Sequence, residues 1–426
     1  MWLLDSFVLE PHFSRTKKEK MRVQNLKCNQ CHSLYPVEAR YVCERCLGPL
    51  TVSYPNQTFD APLLKQRILA GPQSLWRYAD FLPVSQPHPQ ALPVGFTPLI
   101  RAKQLAEIFN VKDVWVKNDA VNPSYSFKDR VVSIALHCAL ELGFTDVACA
   151  STGNLANAVG ALSSALGLNH HLLVPSSLEK QKLIASEIYG GLIRVDGNYD
   201  QINRLATQLA DEYNWGFVNI NLRPFYAEGS KTLAYEVAEQ LGFRSPTKVI
   251  APIGSGSLYT KIAKGFSEWQ DLGLIEGELP AMYGAQPLGC SPVASAFQQG
   301  EDYCNPVKPD TIVTSLAIGN PADGANALTV ARESGGAIEA IDDDEMRYGV
   351  RLLAQTTGIF TEAAGGVTTA LLNRLARQGK LTSDDEIVIY ITGNGLKTAE
   401  TIIEGDISSP LIKANLESYQ ETLMAR

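Results

Sequence analysis

The sequence predicts an α/β protein with mainly parallel twisted sheets, preceded by a small cysteine module. Three observations point there. From Gly95 onward, short β-branched runs alternate with segments of helical periodicity. Those runs are apolar nearly throughout, as strands are when helices cover both faces of a sheet. The length, 426 residues, exceeds one compact core and suits two or three domains.

The elements follow in order. Residues 1–20 read as a flexible arm that carries the one dense basic run, RTKKEK. MWLLDSFVLE is apolar but short, and Asp5 and Glu10 spoil it as a signal peptide. Residues 22–54 hold CNQC and CERC, separated by eleven residues. Residues 55–95, with QPHPQALP, are rich in proline and read as a linker wrapped over the surface. Beyond it, VKDVWVK, DVACA, HHLLVP, LIRVDG, GFVNIN, KVIAPIG, AMYGAQP and EIVIYITG are strand candidates. VVSIALHCALELG, LANAVGALSSALG, LYTKIAKGFSEW and GVTTALLNRLARQG are helix candidates.

Composition narrows the class. Hydrophobic residues make up 45% and charged residues 19%, as in a globular enzyme. Net charge is −8 and no long basic stripe is present, which speaks against a nucleic-acid partner. No apolar run is long enough to span a membrane, so a cytoplasmic location is the default. Cys28, Cys31, Cys43 and Cys46 have the paired spacing of a zinc ribbon, with a shorter connection than the common form. Four thiolates suit a closed, tetrahedral structural zinc site. A metal-free knuckle and a nucleic-acid-binding ribbon are the alternatives. Cys138, Cys149, Cys290 and Cys304 are scattered and read as small buried hydrophobes.

Chemistry is expected where strands end and helices begin. Lys128, in NPSYSFKDR, opens an amphipathic helix. Ser126 and Asp129 stand three apart, as in a capping box. A lysine there sits at the positive end of the helix dipole, which disfavours its charged form. The plain alternative is a structural lysine paired with Asp129. In STGNLANAVG, Ser151, Thr152 and Asn154 surround Gly153 at a helix start, which suits a carboxylate or phosphate; a capped turn explains it equally. In PIGSGSLYTK, Gly254, Ser255, Gly256, Ser257 and Leu258 read as a phosphate cradle, or as a tight turn. It is neither a Walker loop nor GxGxxG. In ITGNGLKT, Thr392 ends an apolar strand and its hydroxyl can face a cleft. None of the six histidines falls in these loops, and no GxSxG is present, which argues against a Ser-His-Asp hydrolase. A lysine that links covalently to pyridoxal phosphate (PLP) accounts for all three loops.

SFKDR, STGN, the glycine loop after KVIAPIG, and TGNGLKT stand in the order found in fold-type II PLP enzymes. GFTPLIRAKQLAE, TSLAIGNPADG and GIFTEAAGG extend the likeness, and with the cysteine module the chain resembles the threonine synthase family over roughly Leu26 to Thr398. That resemblance implies two domains: residues 96–135 and 225–426 as the large cofactor-binding domain, and 136–224 as a small mobile one. It implies that Lys128 bonds the cofactor and serves as the catalytic base. Asn154 would meet the ring hydroxyl, residues 254–258 the cofactor phosphate, and Thr392 the pyridine nitrogen. Ser151 and Thr152 would receive the substrate carboxylate. The implied reaction is conversion of O-phospho-L-homoserine and water to L-threonine and phosphate, by a homodimer. Other fold-type II reactions (cysteate synthesis, threonine or serine dehydration) and a PLP-holding relative without turnover are the alternatives.

Two departures stand out. Family members commonly read NPTGSFKDR, whereas this chain has Ser124 and Tyr125, and Tyr125 is expected to narrow the cleft or alter the loop's motion. Where NPYRIEGQKT is usual, this chain reads RPFYAEGSKT, with Tyr226 in place of arginine. Arg223 or Lys231 is expected to take over the substrate phosphate.

Overall fold

The computed structural model describes residues 23–55, 60–84, 86–151, 153–197, 199–402 and 409–424. The arm at 1–20 and Thr152 lie outside them.

The chain opens with three short antiparallel strands, β1 (Asn25–Cys28), β2 (Leu34–Tyr35) and β3 (Leu50–Ser53), in the order β2-β1-β3. Leu26, Cys28, Leu50 and Val52 are buried in one cluster with Val131, Leu155 and Phe225 of the main body. Polar contacts reinforce the seam. Arg40 N–H donates to the Asn221 carbonyl at 2.8 Å, and Tyr54 Oη–H donates to Glu228 at 2.8 Å.

The segment expected to be a linker has structure of its own. A helix spans Ala61–Ala70, capped by Asp60, whose side chain accepts from Leu63 N–H. A tighter turn follows at Leu75–Phe81. Tyr78 and Phe81 are buried against Tyr235 and Trp269, with ring centroids 5.3–6.0 Å apart. Proline content concealed this, because the aromatic residues, and not the prolines, decide where the segment goes. QPHPQALP itself stays at or near the surface.

Two sheets carry the body. β4 (Leu99–Arg101) runs antiparallel to β5 (Asp113–Asn118). The chain then builds a four-stranded parallel sheet from β6 (Asp146–Ala150), β7 (Asn169–Pro175), β8 (Leu192–Val195) and β9 (Gly216–Phe217), in the order β8-β7-β6-β9. It returns through β10 (Lys248–Pro252), β11 (Ala281–Pro287), β12 (Ala337–Ile341) and β13 (Glu386–Ile391) to complete a six-stranded sheet, β12-β11-β10-β13-β5-β4. All its pairings except β4–β5 are parallel. Every residue of β13 is buried, the apolar run Ile387–Ile391 between the layers and Glu386 in an ion pair with Arg244.

GFVNIN is a strand only over Gly216–Phe217. Asn219 and Asn221 end it by bonding backbone themselves. Asn219 accepts from Ala150 N–H at 3.1 Å and donates to its carbonyl at 3.0 Å, while Asn221 accepts from Phe217 N–H at 2.8 Å.

The carboxyl ends of β6, β10 and β13 bring the loops after Ala150, Pro252 and Ile391 to one cleft. Beneath it, Arg130 is fully buried and bonds Asp119 at 2.6 Å, Glu236 and Thr97, and Lys117 meets Glu236 at 2.6 Å. This network pins the helix Lys128–Leu142 to the strand-end loop at Thr97 and to the Thr232–Gln240 helix.

Candidate active site

Lys128 is the first residue of its helix. The expected capping box does not form. Phe127 occupies the cap with helical torsions, and Ser126 Oγ has no partner. Asp129 instead turns back to accept from Ser124, from its N–H at 2.6 Å and from its hydroxyl. The short carboxylate thus closes the preceding turn and does not reach the Ser126 N–H. Tyr125 has φ +64°, in the left-handed region that favours glycine. Its ring is 58% exposed and does not line the cleft, so it leaves the cleft's width unchanged. What it contributes is backbone: its carbonyl accepts from Asn394 N–H at 3.1 Å, tying the lysine loop to the segment after β13.

The Lys128 side chain points into the cleft, where Nζ donates to Tyr226 Oη at 2.9 Å and lies 4.7 Å from the centre of the Phe127 ring. Burial pushes its ammonium down to about 8, against the opposing pull of Tyr199 and Glu362. Desolvation is therefore the main reason for a readily neutral amine; a helix end alone does not explain it.

The other loops surround this amine. Ser151 is buried, and its hydroxyl accepts from the N–H groups of Gly153 and Ala156, both at 2.9 Å. It therefore caps the helix Asn154–Leu166 while still lining the cleft. Gly153 has φ +121°, and a Cβ there would lie 2.3 Å from Lys182 Cδ. Asn154 donates through Nδ2 to both oxygens of Glu362, at 3.0 and 2.9 Å, and its buried Oδ1 has no partner. Gly254, Ser255, Gly256, Ser257 and Leu258 line the cleft at the start of the helix Ser257–Asp271. No side chain caps that helix, so its first N–H groups are available to an anion. Gly256 has φ +91°, and a Cβ there would meet the Asp323 carbonyl oxygen at 2.8 Å. Thr392 is buried beside Lys128, and its carbonyl accepts from Phe127 N–H at 2.9 Å.

Arg223 and Lys231 are not brought to the cleft. Arg223 donates to Asp323 at 2.5 Å and faces a separate crevice beside the cysteine module, with Thr51 and Lys261. Lys231 is buried between Glu228 at 2.7 Å and Glu268 at 3.0 Å, and it also donates to the Phe81 carbonyl. Both are held in ion pairs outside the cleft, Arg223 by Asp323 and Lys231 by Glu228 and Glu268, and extracting a buried charge from such a pair is costly.

Two cleft-lining residues, Glu362 and Tyr199, and Lys182 behind the Gly153 turn carry no signal in the sequence. Glu362 lies in GIFTEAAGG, but an acid before a helix usually signals a cap. Tyr199 lines the cleft from a helix with no motif around it. Lys182 is fully buried, packed over the Gly153 turn, with Nζ 3.1 Å from Thr314 Oγ1 and 3.3 Å from Glu179. Nothing local in the sequence marks it.

The residues present fit PLP. The cleft is lined by apolar side chains with a few convergent polar groups, as small-ligand sites are. It combines a cradle that a Cβ would fill, a depressed lysine and an orphaned amide oxygen. In the amino-terminal module the four thiols also suit a metal. The sulfur atoms of Cys28, Cys31, Cys43 and Cys46 lie within 4.8 Å of one another. A tetrahedral zinc with Zn–S of about 2.3 Å requires sulfurs about 3.8 Å apart.

Residues 91–393 match the family model described as pyridoxal-phosphate dependent enzyme. The chain is 33% identical over 406 residues to threonine synthase of Methanosarcina acetivorans, covering 94% of this chain and 99% of that one. It is 36% identical over 402 residues to threonine synthase of Methanocaldococcus jannaschii, covering 93% and 98%. Among solved structures, maize serine racemase aligns with a TM-score of 0.60 at 18% identity, over 77% of this chain and 92% of that one. Diaminopropionate ammonia lyase from Escherichia coli aligns with a TM-score of 0.63 at 19% identity, over 82% and 94%. These two similarities concern the fold.

Proposed function

Since the chain belongs to the pyridoxal-phosphate dependent enzymes, and among them to the threonine synthase family, we propose that its cleft converts O-phospho-L-homoserine and water into L-threonine and phosphate. It is a PLP-dependent lyase acting on a small molecule. The observation that carries the site assignment is the placement of Lys128, with a depressed amine, between the glycine loop, Asn154 and Thr392.

When bound, the cofactor supplies an electron sink for negative charge developing at the substrate's α and β carbons. Lys128 would hold it covalently and, as a free amine, would move the protons at Cα and Cβ; Tyr226 Oη, its hydrogen-bond partner, keeps the amine directed into the cleft. Asn154 donates to the ring hydroxyl. Thr392 offers a neutral hydroxyl to the pyridine nitrogen. Residues 254–258 hold the cofactor phosphate at a helix amino terminus. Ser151, Thr152 and neighbouring N–H groups receive the substrate carboxylate. Phosphate departs from Cγ and water adds at Cβ. The cysteine module holds a structural zinc, and the family resemblance supports a cytoplasmic homodimer.

Phosphate release tests this reading. Wild-type protein should release phosphate from O-phospho-L-homoserine with matching threonine formation, and Lys128→Ala should lower kcat by about 10²–10⁴-fold or more. Release from O-phosphoserine alone would assign the cleft to a different reaction of the same fold.

A further inference from the structure

Glu362 is the one carboxylate among the described residues lining the cleft, and no role has been given to it so far. It precedes the helix Ala363–Arg377 with extended torsions, yet its side chain does not cap that helix. Only 2% of it is exposed. Both oxygens point at Asn154 Nδ2. Its backbone is pinned as well, since Glu362 N–H donates to the Gly393 carbonyl at 3.0 Å and Thr361 Oγ1 donates to the same oxygen at 3.2 Å. Gly393 leaves the room required, because a Cβ there would come within 2.3 Å of Glu362 Oε1. Among the described residues Glu362 makes no direct ion pair. A buried carboxylate met by a single neutral amide is costly to keep, and such groups concentrate at functional sites.

A carboxylate can only accept hydrogen bonds, whereas an asparagine amide has a donor end and an acceptor end. Facing Glu362, Asn154 can present only its nitrogen. The amide therefore cannot flip to offer Oδ1 in the same direction. One N–H shared between the two carboxylate oxygens satisfies both contacts, which leaves the second N–H for an acceptor in the cleft. Charge acts in parallel. Lys128 faces Glu362, Tyr199 and Tyr226. Lys397 also faces Glu362, with Asp129 and Lys182 nearby. The negative charge of Glu362 thus reaches both Lys128 and Lys397.

We propose that Glu362 is a positioning residue: it locks the Asn154 amide as a donor toward the cofactor's ring oxygen, and its negative charge favours a cationic nitrogen at Lys128. This rests on the assignment of Lys128 and Asn154 to the cofactor. The test is a pH titration of the visible absorbance of cofactor-loaded protein, with bound cofactor counted separately. In Glu362→Gln the midpoint should fall by roughly one pH unit, because a neighbouring anion no longer supports the cation. Glu362→Asp should lie between, its charge kept but its reach shortened. A loaded Glu362→Gln protein that titrates with the wild-type midpoint overturns the proposal. If Glu362→Gln does not fold, Glu362→Asp decides: a wild-type midpoint with only a lowered melting temperature marks a structural role and sinks the idea. Lys128→Ala separates the two layers, since a borohydride-fixed cofactor adduct that survives in it defeats the Lys128 assignment itself.

Discussion

Lys128 and Tyr125, three residues apart, show how differently neighbouring side chains are constrained. Burial holds the Lys128 ammonium near 8, down from 10.5. In cofactor-free protein the unfolded chain therefore binds a proton that the folded chain has released, between about pH 8 and 10.5. This group's contribution to stability rises with pH through that window and is most unfavourable below pH 8. The accessible consequence is kinetic: the rate of PLP capture by cofactor-free protein should rise with pH around a midpoint near 8. A midpoint near 10 in stopped-flow absorbance would show a solvated lysine instead. At Tyr125 the constraint is steric. A side chain in the left-handed region costs roughly 1–2 kcal/mol, and glycine's extra backbone freedom returns roughly 0.5–1 kcal/mol of that. Tyr125→Gly should therefore raise stability by up to about 1 kcal/mol, read by thermal or denaturant melting. A loss would mean that the exposed ring makes contacts the backbone does not reveal.

Among the elements, the loop from β10 into the helix Ser257–Asp271 is the most tightly specified. Gly256 serves it twice, by its positive φ and by the contact its missing side chain avoids. The Asp323 N–H bond to the Ser255 carbonyl at 2.9 Å closes the same loop from outside. Gly256→Ala should strain the cradle by roughly 1–3 kcal/mol, weakening PLP binding about tenfold or more while leaving the fold's circular dichroism intact. Titration with the cofactor measures it, and unchanged affinity would remove the loop from the phosphate site. The Arg223–Glu228 helix shows a different division. Tyr226 faces the cleft, whereas Glu228 and the following Lys231 form a buried charge cluster with Lys261 and Glu268 on the opposite side. Ion pairing separates residues that look interchangeable in sequence: Asp323 holds Arg223, and Glu228 with Glu268 holds Lys231, so neither cation lines the cleft.

Across the whole molecule, the cysteine module shares a core with the catalytic body. Cys28 and Cys43 lie in the same apolar cluster as Val131 and Phe225. Removing zinc should therefore lower the melting temperature of the entire chain, not only that of a separate bead. Elemental analysis before and after chelation, paired with calorimetry, checks this. One mole of zinc per chain and a cooperative drop in Tm are expected; freshly purified reduced protein with no zinc would make the module a metal-free knuckle.

Much of this was readable in the chain order. Apolar runs such as IVIYI and VIAP report buried parallel strands because every residue in them needs a dry neighbour. Loop glycines and Lys128 are legible because local backbone geometry and a covalent chemistry each demand a particular residue type. The helix at Ala61–Ala70 was hidden by flanking prolines, and the Ser126–Asp129 cap failed because the carboxylate found a nearer partner in Ser124. Glu362 and Tyr199 reach the cleft, and Lys182 the Gly153 turn beside it, from distant segments, so only packing could reveal them. The sequence alone thus determined the fold class and the cofactor, since those depend on periodicity and residue chemistry, and it singled out Lys128 as the residue to test. The tertiary structure decided which charges meet in the cleft and which are neutralised elsewhere, since Coulombic and hydrogen-bonding partners depend on distances in space, and residues far apart along the chain can occupy one pocket.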